Sequence, residues 1–191
     1  STIFEKYLDG HPVTRVIATH LHTDHTGNAG WICALWDCEL WMSRSDFYMC
    51  KFMAADGPSD VPDDAIKFYK RAGFDTERLD RYRSRFGQFG ASISPLPAGY
   101  RRINDGQYID IGGREWRAVI GHGHAPEHVC LYCPELKLII AGDQILPRIT
   151  PNVSVQPSEP WANPLKDWIN SCIRFRELLP PNLLVLPAHE S

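Results

Sequence analysis

Four residues able to bind a metal ion crowd into six positions of this sequence, as His20-x-His22-x-Asp24-His25. Side chains two apart on an extended chain point the same way, so His20 and His22 can grip one ion together. A turn after His22 lets Asp24 and His25 aim at a second ion nearby. Gly27 then permits close backbone approach where the next helix begins. Neutral imidazole with carboxylate suits zinc and tolerates iron or manganese. Of eight histidines, seven fall in three patches: His20, His22 and His25; His122, His124 and His128; and His189. A surface loop rich in histidine by chance is the competing explanation, and the position directly behind an apolar strand argues against it.

The elements that must carry these residues share one arrangement. His20 follows Ile17-Ala18-Thr19, His124 follows Val119-Ile120-Gly121, Asp143 follows Ile139-Ile140-Ala141-Gly142, and His189 follows Val185-Leu186-Pro187. Buried strands that end in polar, metal-capable residues gather those side chains at one sheet edge, where α/β scaffolds place chemistry. The pattern predicts a first strand over residues 13–19, a helix from Asn28 and a short strand over residues 39–42. Residues 44–90 read as a helical insertion. It contains a Pro/Gly/Asp-rich break over residues 56–62, a helix capped by Asp63 and stopped by Gly73, and another begun at Asp75 or Thr76.

Two hairpins follow, one turning at Gly112-Gly113 and one at Pro134-Glu135. Asn163 and Pro164 open a helix whose apolar face is Leu165, Trp168, Ile169, Cys172 and Ile173, and residues 183–186 form a last strand. Trp31, Trp36 and Trp41 are expected in the core behind the metal motif. Phe47, Tyr48, Phe52, Phe68 and Tyr69 are candidates to line an apolar pocket over the metals.

His20-x-His22-x-Asp24-His25-x-Gly27 resembles the signature of the metallo-β-lactamase superfamily. Gly123-His124-Ala125-Pro126-Glu127-His128 resembles that family's Gly-His-x-Pro-Gly-His segment, with Glu127 in place of the usual glycine. Gly142-Asp143 and Pro187-Ala188-His189 resemble its later motifs, in the family's order. The resemblance runs from residue 13 to 189 and implies an α/β (α+β) fold, an αββα sandwich, formed here by a single domain over residues 1–191. It implies that His20, His22 and His124 hold a first metal, that Asp24, His25 and His189 hold a second, and that Asp143 bridges them. Two zinc ions per chain are expected, with iron or manganese as alternatives. Two dications about 3.5 Å apart repel one another and call for anionic ligands and a bridging hydroxide, the expected nucleophile. Asp24 is the candidate catalytic residue, orienting that hydroxide.

His122 and His124 both suit the middle position by residue type, and the motif register selects His124. His122 and His128 are expected to hold hydrogen bonds behind the ligands or to touch substrate. The implied function is a metal-dependent hydrolase of an ester, thioester or lactone, the lactonase-like and glyoxalase-II-like branch. Alternatives are a phosphodiesterase or ribonuclease of the same fold and a mononuclear-iron oxygenase.

Composition narrows the field. The 191 residues are 43% hydrophobic and 23% charged, which excludes disordered, collagen-like and coiled-coil chains. A formal net charge of −3 gives no hint of a nucleic-acid partner, and no apolar run is long enough to cross a membrane. The arginines at 78, 81, 83 and 85 are diluted by Asp75, Glu77 and Asp80 and read as a solvated helix face. A small-molecule substrate is the expected partner. Six cysteines without small-scaffold spacing read as reduced thiols of a cytoplasmic protein, and Cys130-x-x-Cys133 reads as strand rather than as redox pair. The chain starts at Ser1, with fewer strands before the first motif than the family has, so a fragment lacking N-terminal strands is expected. An apolar face left open by that loss would favour a homodimer.

Overall fold

The computed structural model describes residues 2–56 and 60–189, so residues 57–59 of the expected break lie outside the described residues. The elements run α1 (Thr2–Tyr7), β1 (Arg15–Ile17), α2 (Thr23–Thr26), α3 (Ala29–Trp36), β2 (Glu39–Met42), α4 (Arg44–Ala55), α5 (Asp63–Arg71) and α6 (Thr76–Arg85). A short 3-10 helix (Phe89–Ser92) leads to β3 (Arg101–Arg102), β4 (Tyr108–Ile111), β5 (Arg114–Gly121), β6 (His128–Cys133), β7 (Leu138–Gly142), α7 (Pro164–Leu178) and β8 (Leu184–Pro187). Strands β1, β2 and β3 form a parallel sheet with β2 in the middle. Strands β4 to β8 form a second sheet in sequence order, antiparallel until its last pair, β7 and β8, which run parallel.

Side-chain alternation sorts the core into three layers. Leu40 and Met42 of β2 face α3 and α4, packing with Ala29, Cys33, Phe47 and Cys50. Trp41, between them in sequence, faces the other way and meets Trp116, Ala118 and Ile120 of β5 and Val129, Leu131 and Cys133 of β6. The opposite face of that second sheet presents Val119, Cys130 and Ile139 to Phe175 of α7. Helix, sheet, sheet and helix are therefore stacked in that order, a mixed α/β sandwich.

Local chemistry explains the element ends. Gly112 and Gly113 both have positive φ, 64° and 75°, as a two-residue turn between β4 and β5 requires. Asp75 caps α6 by accepting from Arg78 N–H, and Asn163 caps α7 by accepting from Lys166 N–H with Pro164 at the first helical position. The N-cap of α5 is Pro62, so Asp63 is its first helical residue rather than its cap.

Four expectations are corrected. The first strand is only Arg15–Ile17, because the chain then leaves its sheet. Ala18 N–H still donates to Trp41 O, but Thr19 O accepts from Val129 N–H of β6 in the other sheet. Of the three tryptophans only Trp41 is in the core; Trp31 is exposed and stacks on Phe4, and Trp36 meets the same ring edge-on. Phe47 stacks on Tyr100 inside the core, Tyr48 and Phe52 are exposed, and Tyr69 packs on Phe68, Phe74 and Tyr82 where α5 meets α6. On α7 the buried side carries Ser171 and Phe175, whereas Leu165, Ile169 and Ile173 form an exposed stripe. Among the described residues no helix is long and apolar enough to cross a membrane.

Candidate metal centre

The seam between the two sheets collects the polar strand ends. The crossing of residues 18–20 from one sheet to the other carries His20 into that seam, fully buried. Gly121 pairs with His128 across β5 and β6, which closes residues 122–127 into a loop holding His124. Parallel pairing sets Pro187 opposite Gly142, and Ala188 N–H donates to Gly142 O, so His189 arrives beside Asp143. Gly142, at φ 51°, has no room for a side chain: a Cβ there would lie 2.7 Å from the His128 ring.

The seven expected residues come together in two groups, His20, His22, His124 and Asp143 in one, and Asp24, His25 and His189 in the other. In the first, His20 Nε2, His22 Nδ1 and His124 Nε2 lie 2.9, 3.0 and 3.2 Å from one another. Three ring nitrogens in a triangle cannot satisfy one another with hydrogen bonds, since each in-plane lone pair points at the common centre. A cation at that centre suits them. The far nitrogens are engaged elsewhere: His124 Nδ1–H donates to Asn152 O at 2.9 Å, and His20 Nδ1 lies 3.0 Å from Thr19 Oγ1. That leaves His124 Nε2 without a proton, since a carbonyl oxygen can only accept.

Asp143 spans both groups. Its Oδ2 is 3.3 Å from His124 Nε2 and 3.8 Å from His20 Nε2, while Oδ1 is 3.2 Å from His25 Nε2 and 3.5 Å from His189 Nε2. Asp24 Oδ2 lies 3.4 Å from His25 Nε2 and 3.2 Å from His189 Nε2. His25 Nε2 and Asp143 Oδ1 are buried and neither is hydrogen-bonded. Buried polar atoms without partners are costly and rare, and a divalent ion accepting both lone pairs would remove the cost. Burial, reinforced by the other rings, holds His20 well below the usual histidine range, and burial with His124 does the same to His22. Neutral rings are what metal ligation needs. The residues present therefore fit a pair of divalent ions.

The remaining candidates stand behind or apart. His128 is fully buried, stacks on His20 at 4.6 Å, and accepts Asp143 N–H at Nε2, 3.1 Å away. Its proton is then on Nδ1, 3.6 Å from Cys130 Sγ, and the Cys130 thiol donates to Ala141 O. Burial pushes His128 down to about 3. His122 is exposed and donates from Nδ1 to Pro126 O, staying outside both groups and shaping the loop around His124.

One participant escaped the sequence. Asp46 on α4 is fully buried; its Oδ1 accepts Leu21 N–H at 2.9 Å, and its Oδ2 accepts Glu127 N–H at 2.7 Å and Ser43 O–H at 3.1 Å. Burial raises this carboxyl to about 6 despite those donors. Ser43-x-x-Asp46 has the spacing of a capping box, a helix-start signal that does not reveal where the carboxylate turns. Beside the second group opens a cleft of about 690 Å³ lined by Thr23, Asp24, Asn28, Ser92 and Ser94 among others. Its wall is largely hydroxyl and amide, in place of the aromatic lining expected.

Comparison with known proteins agrees with this construction. The family model described as the metallo-beta-lactamase superfamily matches residues 2–189. A beta-lactamase domain protein from Burkholderia ambifaria is 39% identical with a TM-score of 0.87, over 99% of this chain and 53% of that one. TTHA1623, solved in a di-iron-bound form, is 22% identical with a TM-score of 0.66, over 100% of this chain and 75% of that one. An uncharacterized protein of Aquifex aeolicus (strain VF5) is 25% identical over 131 residues, 69% of this chain and 48% of its own length. The chain thus spans about half the length of the Aquifex and Burkholderia proteins. With its ordered motifs, two sheets and a family match over nearly its whole length, the chain belongs to the metallo-β-lactamase superfamily.

Proposed function

We propose that the protein is a hydrolase with a dinuclear centre, zinc in preference to iron or manganese, that cleaves an ester, thioester or lactone. His20, His22 and His124 would hold one ion, and Asp24, His25 and His189 the other. What carries the reading is the Asp143 carboxylate, which turns one oxygen toward each group of ligand atoms. Two divalent ions there would supply Lewis acidity and a water that deprotonates near neutral pH, at roughly pH 7.

The chain's own groups supply the rest. Asp24 uses one oxygen toward His25 and His189 and is half exposed at the mouth of the cleft. Its second oxygen would orient water, take its proton as the bond to the acyl carbon forms, and return that proton to the leaving oxygen or sulfur as the acyl bond breaks. Thr23, Asn28, Ser92 and Ser94 offer hydrogen bonds to the polar part of a small-molecule substrate. Two of the four arginines of α6 pair along the helix itself, Arg81 with Glu77 and Arg83 with Asp80, which favours a solvated helix face over the ribonuclease alternative.

Elemental analysis of protein purified without added metal, followed by a panel of esters, thioesters and lactones, tests this reading. Two zinc ions per chain and turnover of one class are expected. Since TTHA1623 was solved with two irons, the count must separate the elements. One iron per chain with no hydrolysis would overturn the proposal.

A further inference from the structure

The start of α4 is tied to both histidine loops, and the ties cross over. Leu21, whose N–H is taken by Asp46 Oδ1, lies between His20 and His22. Glu127, whose N–H is taken by Asp46 Oδ2, lies between His124 and His128. The two loops are about a hundred residues apart in sequence, and one buried carboxylate accepts from the backbone of each. In return Glu127 Oε2 accepts Ser45 N–H at 2.7 Å. Asp46 is the third helical residue of α4, where an acidic side chain commonly folds back to the helix's own first turn. Here it is turned outward to the loops, and the Ser43 side chain caps nothing on the helix but donates to Asp46. Glu127 meets the helix N-terminus in their place, its charge set against the positive end of the helix. It stands where relatives of the motif have glycine, which could not make that contact.

We propose that Asp46 and Glu127 form a latch that positions the backbone of both histidine loops, so that His20, His22 and His124 converge on a first metal ion. This rests on the metal-centre reading of that triangle. Asp46 touches no ligand side chain; it acts through the two amides beside the ligands and is a positioning residue. The latch also joins the first helix of the 44–90 segment to the centre, so that segment is mechanically part of the site.

Two measurements on Asp46→Asn test this, one of which needs no metal. The amide group keeps the size of the side chain but offers an N–H₂ where Oδ2 or Oδ1 accepted, so one loop must let go. In metal-free protein, hydrogen exchange should quicken at least about tenfold at whichever of the Leu21 and Glu127 amides is released, with the β6 core amides unchanged. In chelator competition with zinc, affinity for the more tightly held ion should fall about 10- to 100-fold, the range for groups that support ligands. The second ion should weaken less.

Should Asp46→Asn fail to fold, Glu127→Gly provides the independent arm. It releases α4 without disturbing the buried acid, and should quicken both amides and weaken the first ion several-fold. Glu127→Gln, whose carbonyl can still accept from Ser45 N–H, should restore both. Unchanged exchange at both amides, or wild-type affinity for both ions in the variants, would overturn the latch. Wild-type protein that takes up no metal would instead overturn the metal centre, and with it the latch's role in ligand placement.

Discussion

The two halves of the centre are built differently although they lie side by side. Around the first group the side chains of His20, His124 and Asp143 are 0, 4 and 10% exposed, and the structure holds each from behind. Thr19 and Asn152 engage the far sides of two rings, and His128 takes the Asp143 N–H. In the second group Asp24 and His189 are 55 and 43% exposed. Among the described residues neither His25 nor His189 has a hydrogen bond from its ring to main chain or hydroxyl. Ligands held in place beforehand give up little freedom when an ion arrives, whereas loose ones must be ordered by it. The first group should therefore bind tightly and stay loaded, and the second should exchange its ion readily while facing the cleft.

The largest effect should come from the residue the halves share. Asp143→Ala removes an oxygen from each group and, among the described residues, the buried carboxylate that lies between them, so both ions should be lost and hydrolysis should fall by more than about a hundredfold, beyond the usual cost of losing a supporting group. Metal content per chain and turnover of the best substrate check this. Full metal content and turnover in that variant would break the bridging assignment.

A pair of single substitutions separates the halves. His22→Ala should empty the first group and remove most metal and activity. His189→Ala should leave about one tightly bound ion and weaken the other by at least roughly tenfold. Titration calorimetry on both variants reads the difference directly. Equal losses would mean that the two groups bind as one unit.

Much of this was legible beforehand because ligand chemistry constrains sequence tightly. His20, His22, Asp24 and His25 are contiguous, and each later member follows an apolar strand that period-two burial makes readable. The layers carry no such alternation, since β5, β6 and β7 are apolar on both faces, and the αββα sandwich follows instead from the resemblance of the ordered motifs. What escaped depended on long-range geometry. A buried carboxylate at Asp46 and a cap supplied by Glu127 from 82 residues away have no local pattern beyond a helix start. The stripe of Leu165, Ile169 and Ile173 shows periodicity but not which side of α7 meets the sheet. The 3.6-residue repeat defines an apolar arc, and packing of Phe175 against Val119 and Ile139 decides which edge of the arc is used.

Acid should act on the tight half before any ion is present. His20, His22 and His128 all have folded-state values below 6.5, so as pH falls through 6.5 the unfolded chain takes up protons that the folded chain refuses. Each such histidine therefore subtracts stability as pH falls below 6.5. Asp46, raised to about 6, works the other way between its unfolded value near 3.8 and 6, favouring the folded state as pH drops. Three histidines outweigh one carboxyl, so the melting temperature of metal-free protein should decline from pH 7 to pH 4. A melting temperature that rose over that range would show that the first group is not held neutral.

The smallest effects should distinguish two cysteines on one strand. Cys130 and Cys133 lie on opposite faces of β6, the first toward α7 and the second between the sheets. Cys130 Sγ faces His128 Nδ1, whose other nitrogen takes the Asp143 N–H, so Cys130→Ala should loosen that support and weaken zinc binding about threefold, below the range for a direct partner of a ligand. Cys133→Ser places a hydroxyl in an apolar layer, so it should cost about 1–2 kcal/mol of stability and leave metal affinity unchanged. Both thiols are buried on the same strand, but of the two only Cys130 connects through His128 to Asp143, so metal affinity is the quantity that should separate the variants. Chelator competition beside thermal melts measures both quantities, and equal metal affinities would place the support of Asp143 in the His128 ring stack alone.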